Sequence, residues 1–523
     1  LKQTICNART FVGTTCFTMH TTTAVNKGTE SHLELPHEQH FSAFRHHILG
    51  HNATLKTPYG EKPLVYADWI ASGRLYRPIE EWLLNQVGPM VANTHTETSY
   101  TGAVMTHAYH MARELIKRSV NAGPDDVLIA VGTGMTAAVN KFQRILGMKY
   151  PDCLKDYFTI PDEERPVVFI THMEHHSNQT SWLETIAHVE LIKANADGLV
   201  DLNHLDELLH KHKHRKYKYA SVTGCSNVTG IETPYYDIAE RMHKAGGCCF
   251  VDFACSGPYV EIDMHPADRP LAWLDAIFLS PHKFLGGPGT PGILIFNKKY
   301  YRLKSPDIPG GGTVTWTNPW GGHSYYDDIE VREDGGTPGF LQLLKAAKAF
   351  QLKEQLQPAK IREREHAMVE YIFDRLERIP GLHILAGNNR VRLGAISFYI
   401  DGLHYNLGVK LLNDLYGIQV RGGCSCAGTY GHYLLGVDEE KSKMITDLID
   451  RGDLTLKPGW IRLSLHPVMT ADELRYIVDA IEDVALNFRT YQQAYTYHPS
   501  SNTFTHTSEQ QSPEHHLAAS WFE

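Results

Sequence analysis

Apolar and polar residues along this chain fall into blocks. Through its middle, short apolar runs at Val127–Val131, Pro166–Ile170, Val189–Lys193, Tyr217–Thr223, Gly247–Asp252, Ala276–Ser280 and Gly292–Phe296 read as seven strands. Stretches of helical spacing separate them, one opened by Gly132-Thr133-Gly134-Met135-Thr136. Strands alternating with helices predict an α/β fold with a mostly parallel sheet, binding ligands outside the strands' carboxyl ends.

The flanking pattern is more mixed. Leu64–Asp68 reads as a strand, Pro78 with Glu80, Glu81 and Trp82 as a helix start, and Asn93–Gly102 as a polar loop. A helix to about Ala122 follows, with Ala108, Met111, Ala112, Leu115 and Ile116 as its apolar face. Ser305 to Thr337 is rich in Gly and Pro and reads as a long functional connection. Helical patterns at Gly339–Leu356 and Lys360–Ile379 come next. Strands at Ala395–Ile400 and Trp460–Leu465 and helices at 404–416, 438–451 and 470–488 then suggest a smaller α+β domain.

The expected organisation is a leader at 1–30, a segment at 31–60 packing on the small domain and a large domain at 61–318. A Gly-rich connection at 319–337, a small domain at 338–490 and a disordered Ser/Thr/His/Gln-rich tail at 491–523 complete it.

Composition narrows the function. Charged residues at 21% and hydrophobic ones at 42% suit a globular enzyme, and the net charge of -9 argues against nucleic acid or an anionic membrane as partner. Nine cysteines without a disulfide framework suit a reducing compartment. The cytoplasm is therefore expected, or the mitochondrion if residues 1–29 are a transit peptide; an untranslated leader before Met19 fits as well.

Candidate chemistry gathers at the strand ends. Ala276–Leu279 runs into Ser280-Pro281-His282-Lys283 and then Gly286, Gly287, Gly289 and Gly292. A lysine there suits an amine that captures a carbonyl as a Schiff base. The turn at Gly132–Thr136, between strand and helix, suits a phosphate. Asp252 ends the run Cys248–Val251 and is either a turn former or the partner of a cationic ring nitrogen. Lys283 and Asp252 together match what pyridoxal phosphate requires. The run His210 to Arg215 reads as a solvated polar helix end rather than a metal tract.

These motifs, in this order, resemble the class V aminotransferase family of fold-type-I pyridoxal-phosphate enzymes, on the branch of cysteine desulfurases and selenocysteine lyases. The resemblance covers roughly residues 60 to 488 and implies a large domain with a seven-stranded sheet plus a smaller C-terminal domain. It also implies that Lys283 forms the Schiff base with pyridoxal 5'-phosphate. Ser280, His282 and the backbone of Gly134 and Met135 would hold the phosphate. His175 would stack on the ring, Asn227 would bond its hydroxyl and Asp252 its nitrogen. Thr337 resembles a residue reaching the neighbouring subunit's phosphate, implying a homodimer. Arg462 resembles the arginine that grips the substrate carboxylate.

Arg421-Gly422-Gly423-Cys424-Ser425-Cys426-Ala427-Gly428 resembles the flexible desulfurase loop whose cysteine takes sulfur from the substrate. Cys426 matches that position, and Arg421 beside it would favour the thiolate. A metal site of Cys424, Cys426 and His432, a strained disulfide, or plain turn packing are the other readings; no metal is expected. The chain departs from the desulfurase pattern at Cys255, where a glutamine is usual, and at Gly134 and Met135. The resemblance thus implies a small amino-acid substrate, desulfurase or selenocysteine-lyase chemistry and a sulfur-acceptor protein. A class V aminotransferase or another lyase without a catalytic cysteine, and a non-catalytic cofactor-binding protein, are the alternatives.

Overall fold

In the computed structural model, which describes residues 33–157, 159–509 and 513–523, seven strands lie side by side. They are β1 (Asp126–Val131), β2 (Val167–Thr171), β3 (His188–Ile192), β4 (Lys218–Thr223), β5 (Cys248–Asp252), β6 (Ala276–Leu279) and β7 (Gly292–Asn297), in the spatial order β1-β7-β6-β5-β4-β2-β3. Only β7 runs antiparallel to its neighbours, pairing Gly292 with Val131 and Ile293 with Leu279. All residues of β2, β4 and β6 are buried, as expected of a sheet covered on both faces. The other six strands therefore point the same way, and their carboxyl ends open on one edge.

The helix Met135–Ile145 is anchored beneath that edge by Phe142, whose ring meets Phe250 at 5.0 Å and Phe296 at 5.2 Å. Phe142 is fully buried, and truncating such a residue costs about 3–5 kcal/mol. This packing fixes where the helix begins, and so where its free N–H groups lie.

A second, antiparallel sheet has the order β8-β9-β11-β10, from Leu382–Ile384 (β8), Ala395–Ile400 (β9), Arg421–Gly423 (β10) and Trp460–Ser464 (β11). The helices Phe340–Leu356 and Pro358–Leu376 precede it. The segment Val65–Tyr66 pairs with Ile418–Gln419, which carries residue 68 to the edge of β11. Ahead of it, the helix Glu38–Arg45 is tied to later elements by Arg45 to Glu473 at 2.6 Å and by Arg364 to Glu38 at 2.7 Å.

Several expectations change. Of the expected apolar face Ala112 and Ile116 are buried but Met111 is 71% exposed, while Arg113 on the same helix is buried and donates to Asp334 at 2.5 Å, so an ion pair joins the buried face. The connection after Ser305 contains a hairpin, Val314–Thr317 with His323–Tyr325. The tail expected to be disordered forms another, Tyr495–His498 with Thr503–His506, followed by the helix Pro513–Ser520. It is held down by Asn406 donating to Asn502 O and Tyr495 to Asp414, at 2.6 and 2.9 Å. His212, expected on a solvated face, is buried with Nε2 2.7 Å from Glu190 Oε1. His188, Glu190 and His212 come within ligand distance of one another, but the Lys211 ammonium already sits 2.6 Å from the same oxygen. The expected leader at 1–30 lies outside the described residues. Among the described residues no helix is long and apolar enough to cross a membrane.

Candidate active site

The strand ends and the small sheet enclose a cavity of about 290 Å³. Gly134, Met135, His175, Asn227, Asp252, Cys255, Ser280, His282, Lys283, Arg421, Cys426 and Arg462 all line it, so nearly every residue singled out in the sequence meets there. Thr337 does not line the cavity of its own chain and is exposed. Three cationic side chains and one buried carboxylate line the cavity, and a second carboxylate, Asp68, holds two of the cations from behind.

At one end, the turn before the helix Met135–Ile145 meets the turn after β6. Met135 N donates to Ser280 Oγ at 2.9 Å. A side chain at Gly134 would place its Cβ 3.3 Å from Ser280 Oγ and 3.5 Å from His282 Nε2. Gly292 must likewise be glycine, because a Cβ there would lie 2.2 Å from Gly134 O. The Ser280 hydroxyl, the His282 imidazole and the start of the helix thus converge around a hollow that the absent side chain leaves open. A phosphate group fits such a hollow.

At the floor, Asp252 accepts Ala254 N at 2.8 Å. Burial pushes its carboxyl up to about 6, against the pull of Lys283. Lys283 ends the short 3-10 turn Pro281–Lys283 and is half-buried. His175 caps the helix His176–Leu183 by accepting Ser177 N on Nδ1 at 3.1 Å, which fixes its tautomer and ring orientation. Burial first, then the Lys283 charge, hold His175 down to about 3, so it is neutral at working pH. His282 is held down to about 4 for the same two reasons.

On the opposite wall, Arg462 donates to Asn227 O at 3.0 Å and to Asp68 Oδ1 at 2.7 Å. Arg421 Nε donates to the other oxygen of Asp68 at 3.0 Å. One carboxylate therefore clamps both arginines. Arg462 Nε is buried and has no partner among the described residues, so its fork keeps donors for an incoming carboxylate. Arg421, expected to favour a thiolate at Cys426, is instead directed at Asp68.

The cysteine loop is held where a swinging arm was expected. Asn227 Nδ2 donates to Ser425 O at 2.6 Å, His176 N to Cys426 O at 2.8 Å, and Gly428 N to His176 Nε2 at 2.8 Å. Ser425 and Cys426 have φ of 50° and 56°, a left-handed conformation costing a non-glycine residue about 1–2 kcal/mol. Those contacts hold the strained turn with the exposed Cys426 at the cavity wall. Asn227, expected to bond a ring hydroxyl, has one amide hydrogen committed to this loop, and its Oδ1 is buried without a partner among the described residues. Both ring nitrogens of His432 are engaged, with Gly428 O and Ser442 Oγ, which leaves neither for a metal shared with Cys424 and Cys426.

Sequence reasoning missed Asp68, Ser425 and Glu174. Glu174 is buried behind the site and accepts Thr171 N and Oγ1, Asn178 Nδ2 and Thr223 N, tying the ends of β2 and β4 together; burial pushes it up to about 7. It stands next to His175 in Met173-Glu174-His175-His176, so the motif marked the place but not the role.

Comparison with known proteins agrees with this geometry. A family model described as Aminotransferase class-V matches residues 65–477. A probable cysteine desulfurase of Halalkalibacterium halodurans is 27% identical over 369 residues, covering 70% of this chain and 84% of the relative. A cysteine desulfurase of Haloferax volcanii is 26% identical over 386 residues, covering 72% and 83%. The solved structure of an apo cysteine desulfurase from Thermococcus onnurineus has a TM-score of 0.66 at 21% identity, covering 81% of this chain and 95% of that one. One from Escherichia coli has a TM-score of 0.65 at 22% identity, covering 86% and 98%. The fold is the α/β fold of these enzymes, and with the family model spanning the whole cavity-forming region, the chain belongs to the class V aminotransferase family.

Proposed function

We propose that this protein is a pyridoxal-phosphate enzyme that takes sulfur from cysteine, or selenium from selenocysteine, onto Cys426 and releases alanine. The observation that carries this reading is the placement of a thiol, a lysine and an arginine fork around one cavity, with the thiol's loop tied to the cofactor side by Asn227 and His176.

The cavity fits the cofactor in three respects. The hollow at Gly134 accepts a phosphate, neutral His175 offers a ring face, and Asp252 is a buried acid in need of a cationic neighbour. When bound, the cofactor supplies an aldehyde for the substrate amine and a ring that takes up electrons from the α-carbon. Lys283 holds the cofactor and then takes the α-proton as general base. Asp252 keeps the ring nitrogen protonated. Arg462 orients the substrate carboxylate through its remaining donors. The Cys426 thiolate attacks the substrate sulfur, forming an S–S bond as the substrate's C–S bond breaks; the three-carbon product leaves after protonation.

Thr337, exposed and outside its own cavity, would serve the phosphate of a second copy in a homodimer. The persulfide on the exposed Cys426 would pass to a sulfur-acceptor protein. The seven cysteines among the described residues are all free thiols, which suits a cytoplasmic location.

An amino-acid panel scored together for alanine, sulfide and keto acid tests the reading. With dithiothreitol in excess to reduce the Cys426 persulfide and release its outer sulfur as sulfide, alanine and sulfide in equal amounts from cysteine support it, and Cys426→Ala should abolish that turnover while leaving cofactor binding intact. Keto acid without sulfide would assign the site to transamination.

A further inference from the structure

The two turns at the floor of the cavity carry a second pair of thiols. β4 and β5 are parallel neighbours, with Thr223 opposite Asp252. The turns leaving them pack closely: Gly224 N donates to Asp252 O at 2.8 Å, and a Cβ at Gly224 would lie 2.7 Å from Ser256 Oγ. This brings Cys225 Sγ to 3.3 Å from Cys255 Sγ. Both residues are buried, at 0% and 5% exposure, yet Cys255 lines the cavity and is within reach of a small solute entering it. A disulfide needs an S–S separation of about 2.05 Å, so the sulfurs have little more than an ångström to close.

The pair is also polarised. Cys225 donates its S–H to Cys255, and Lys283 and Arg462 add positive potential, which together draw Cys255 toward the thiolate; Cys225 is held as the thiol. A cavity-facing cysteine drawn toward its thiolate form, beside a buried thiol, is the arrangement of an attacking and a resolving cysteine.

We infer that Cys225 and Cys255 form an oxidative modification site, in which a small peroxide entering through the cavity converts the pair into a reversible disulfide across its floor. The Cys255 thiolate attacks the O–O bond: an S–O bond forms, and the leaving hydroxide is protonated to water. Cys225 sulfur then attacks the sulfenic sulfur, an S–S bond forms, the S–O bond breaks, and a second water leaves with the Cys225 proton. Two thiols are oxidised by two electrons and one peroxide is reduced to two waters. The link would join the turn bearing Asn227 to the turn bearing Asp252, drawing the Cys255 sulfur toward Cys225.

Holoenzyme treated with increasing hydrogen peroxide, alkylated under denaturing conditions, digested and mapped by mass spectrometry tests this. The expected result is a cross-link between the peptides of Cys225 and Cys255, both thiols disappearing together and both returning with dithiothreitol. Cys248 and Cys249 lie near Cys255 in sequence, so fragment spectra must place the bond on Cys255, and Cys225→Ser should leave Cys255 as a sulfenic or sulfinic acid instead. If both thiols still alkylate fully at peroxide levels that oxidise Cys426, or if Cys255 is oxidised while Cys225 stays free in the wild-type chain, the inference fails. The wild-type map decides even where the variant does not fold.

Discussion

Replacing Asp252 with asparagine should stabilise the cofactor-free chain while disabling its site. Asp252 is buried and its carboxyl stands at about 6 against an ordinary 3.8, chiefly through burial. A difference of that size corresponds to about 3 kcal/mol between the protonation states. The sign follows from proton counting. Between pH 3.8 and about 6 the folded chain binds the proton more tightly than the unfolded one, so this group's contribution to stability falls as pH rises through that window. Above it, the folded chain carries a buried charge with a single hydrogen bond, from Ala254 N. Asparagine keeps an acceptor for that N–H and removes the charge, but its own amide hydrogens lack evident partners, which reduces the expected gain to about 1–2 kcal/mol. Melting temperatures of cofactor-free wild type and Asp252→Asn should therefore converge near pH 4 and separate by a few degrees at pH 7–8, the variant being the more stable. Glu174 and Glu365, pushed up to about 7 and about 8, contribute slopes of the same sign, so the difference between the two proteins is the quantity to read. A gap that does not change with pH, or a variant that is less stable at pH 8, would refute the reasoning.

Asp68→Asn removes the charge that clamps Arg462 and Arg421; stability should fall by about 1–3 kcal/mol and KM for an amino-acid substrate should rise more than kcat falls, measured by denaturation and steady-state kinetics. Ser425→Gly relieves a left-handed φ and deletes a buried hydroxyl without a partner among the described residues, so a gain of about 1 kcal/mol in stability is expected by thermal melting.

The strand rhythm and the motifs at the strand ends were legible because their signals are local: apolar runs, a Gly turn before a helix, a lysine between a strand and glycines. What escaped depends on partners far apart in the chain. Asp68 meets an arginine 394 positions away, and nothing near it in sequence marks that role. Cys225 meets Cys255 only because β4 and β5 are neighbours, and strand order is not written in any one strand. The loop around Cys426 reads as mobile from its glycines, whereas Asn227 and His176, from loops at the strand ends of the large sheet, hold it in place. Arg113 and His212 look like surface residues by type, yet each is buried against an acid supplied by a distant element. The tail's polar composition concealed strands that are stabilised by contacts to the helix Tyr405–Tyr416.

The central claim is that Lys283 is the amine that holds pyridoxal phosphate in this cavity. The protein should be loaded with the cofactor, reduced with borohydride, digested and mapped. The account predicts an absorbing adduct on the peptide carrying Lys283, lost in Lys283→Ala. An unlabelled Lys283, or a label that settles on another lysine such as the buried Lys353, would contradict it.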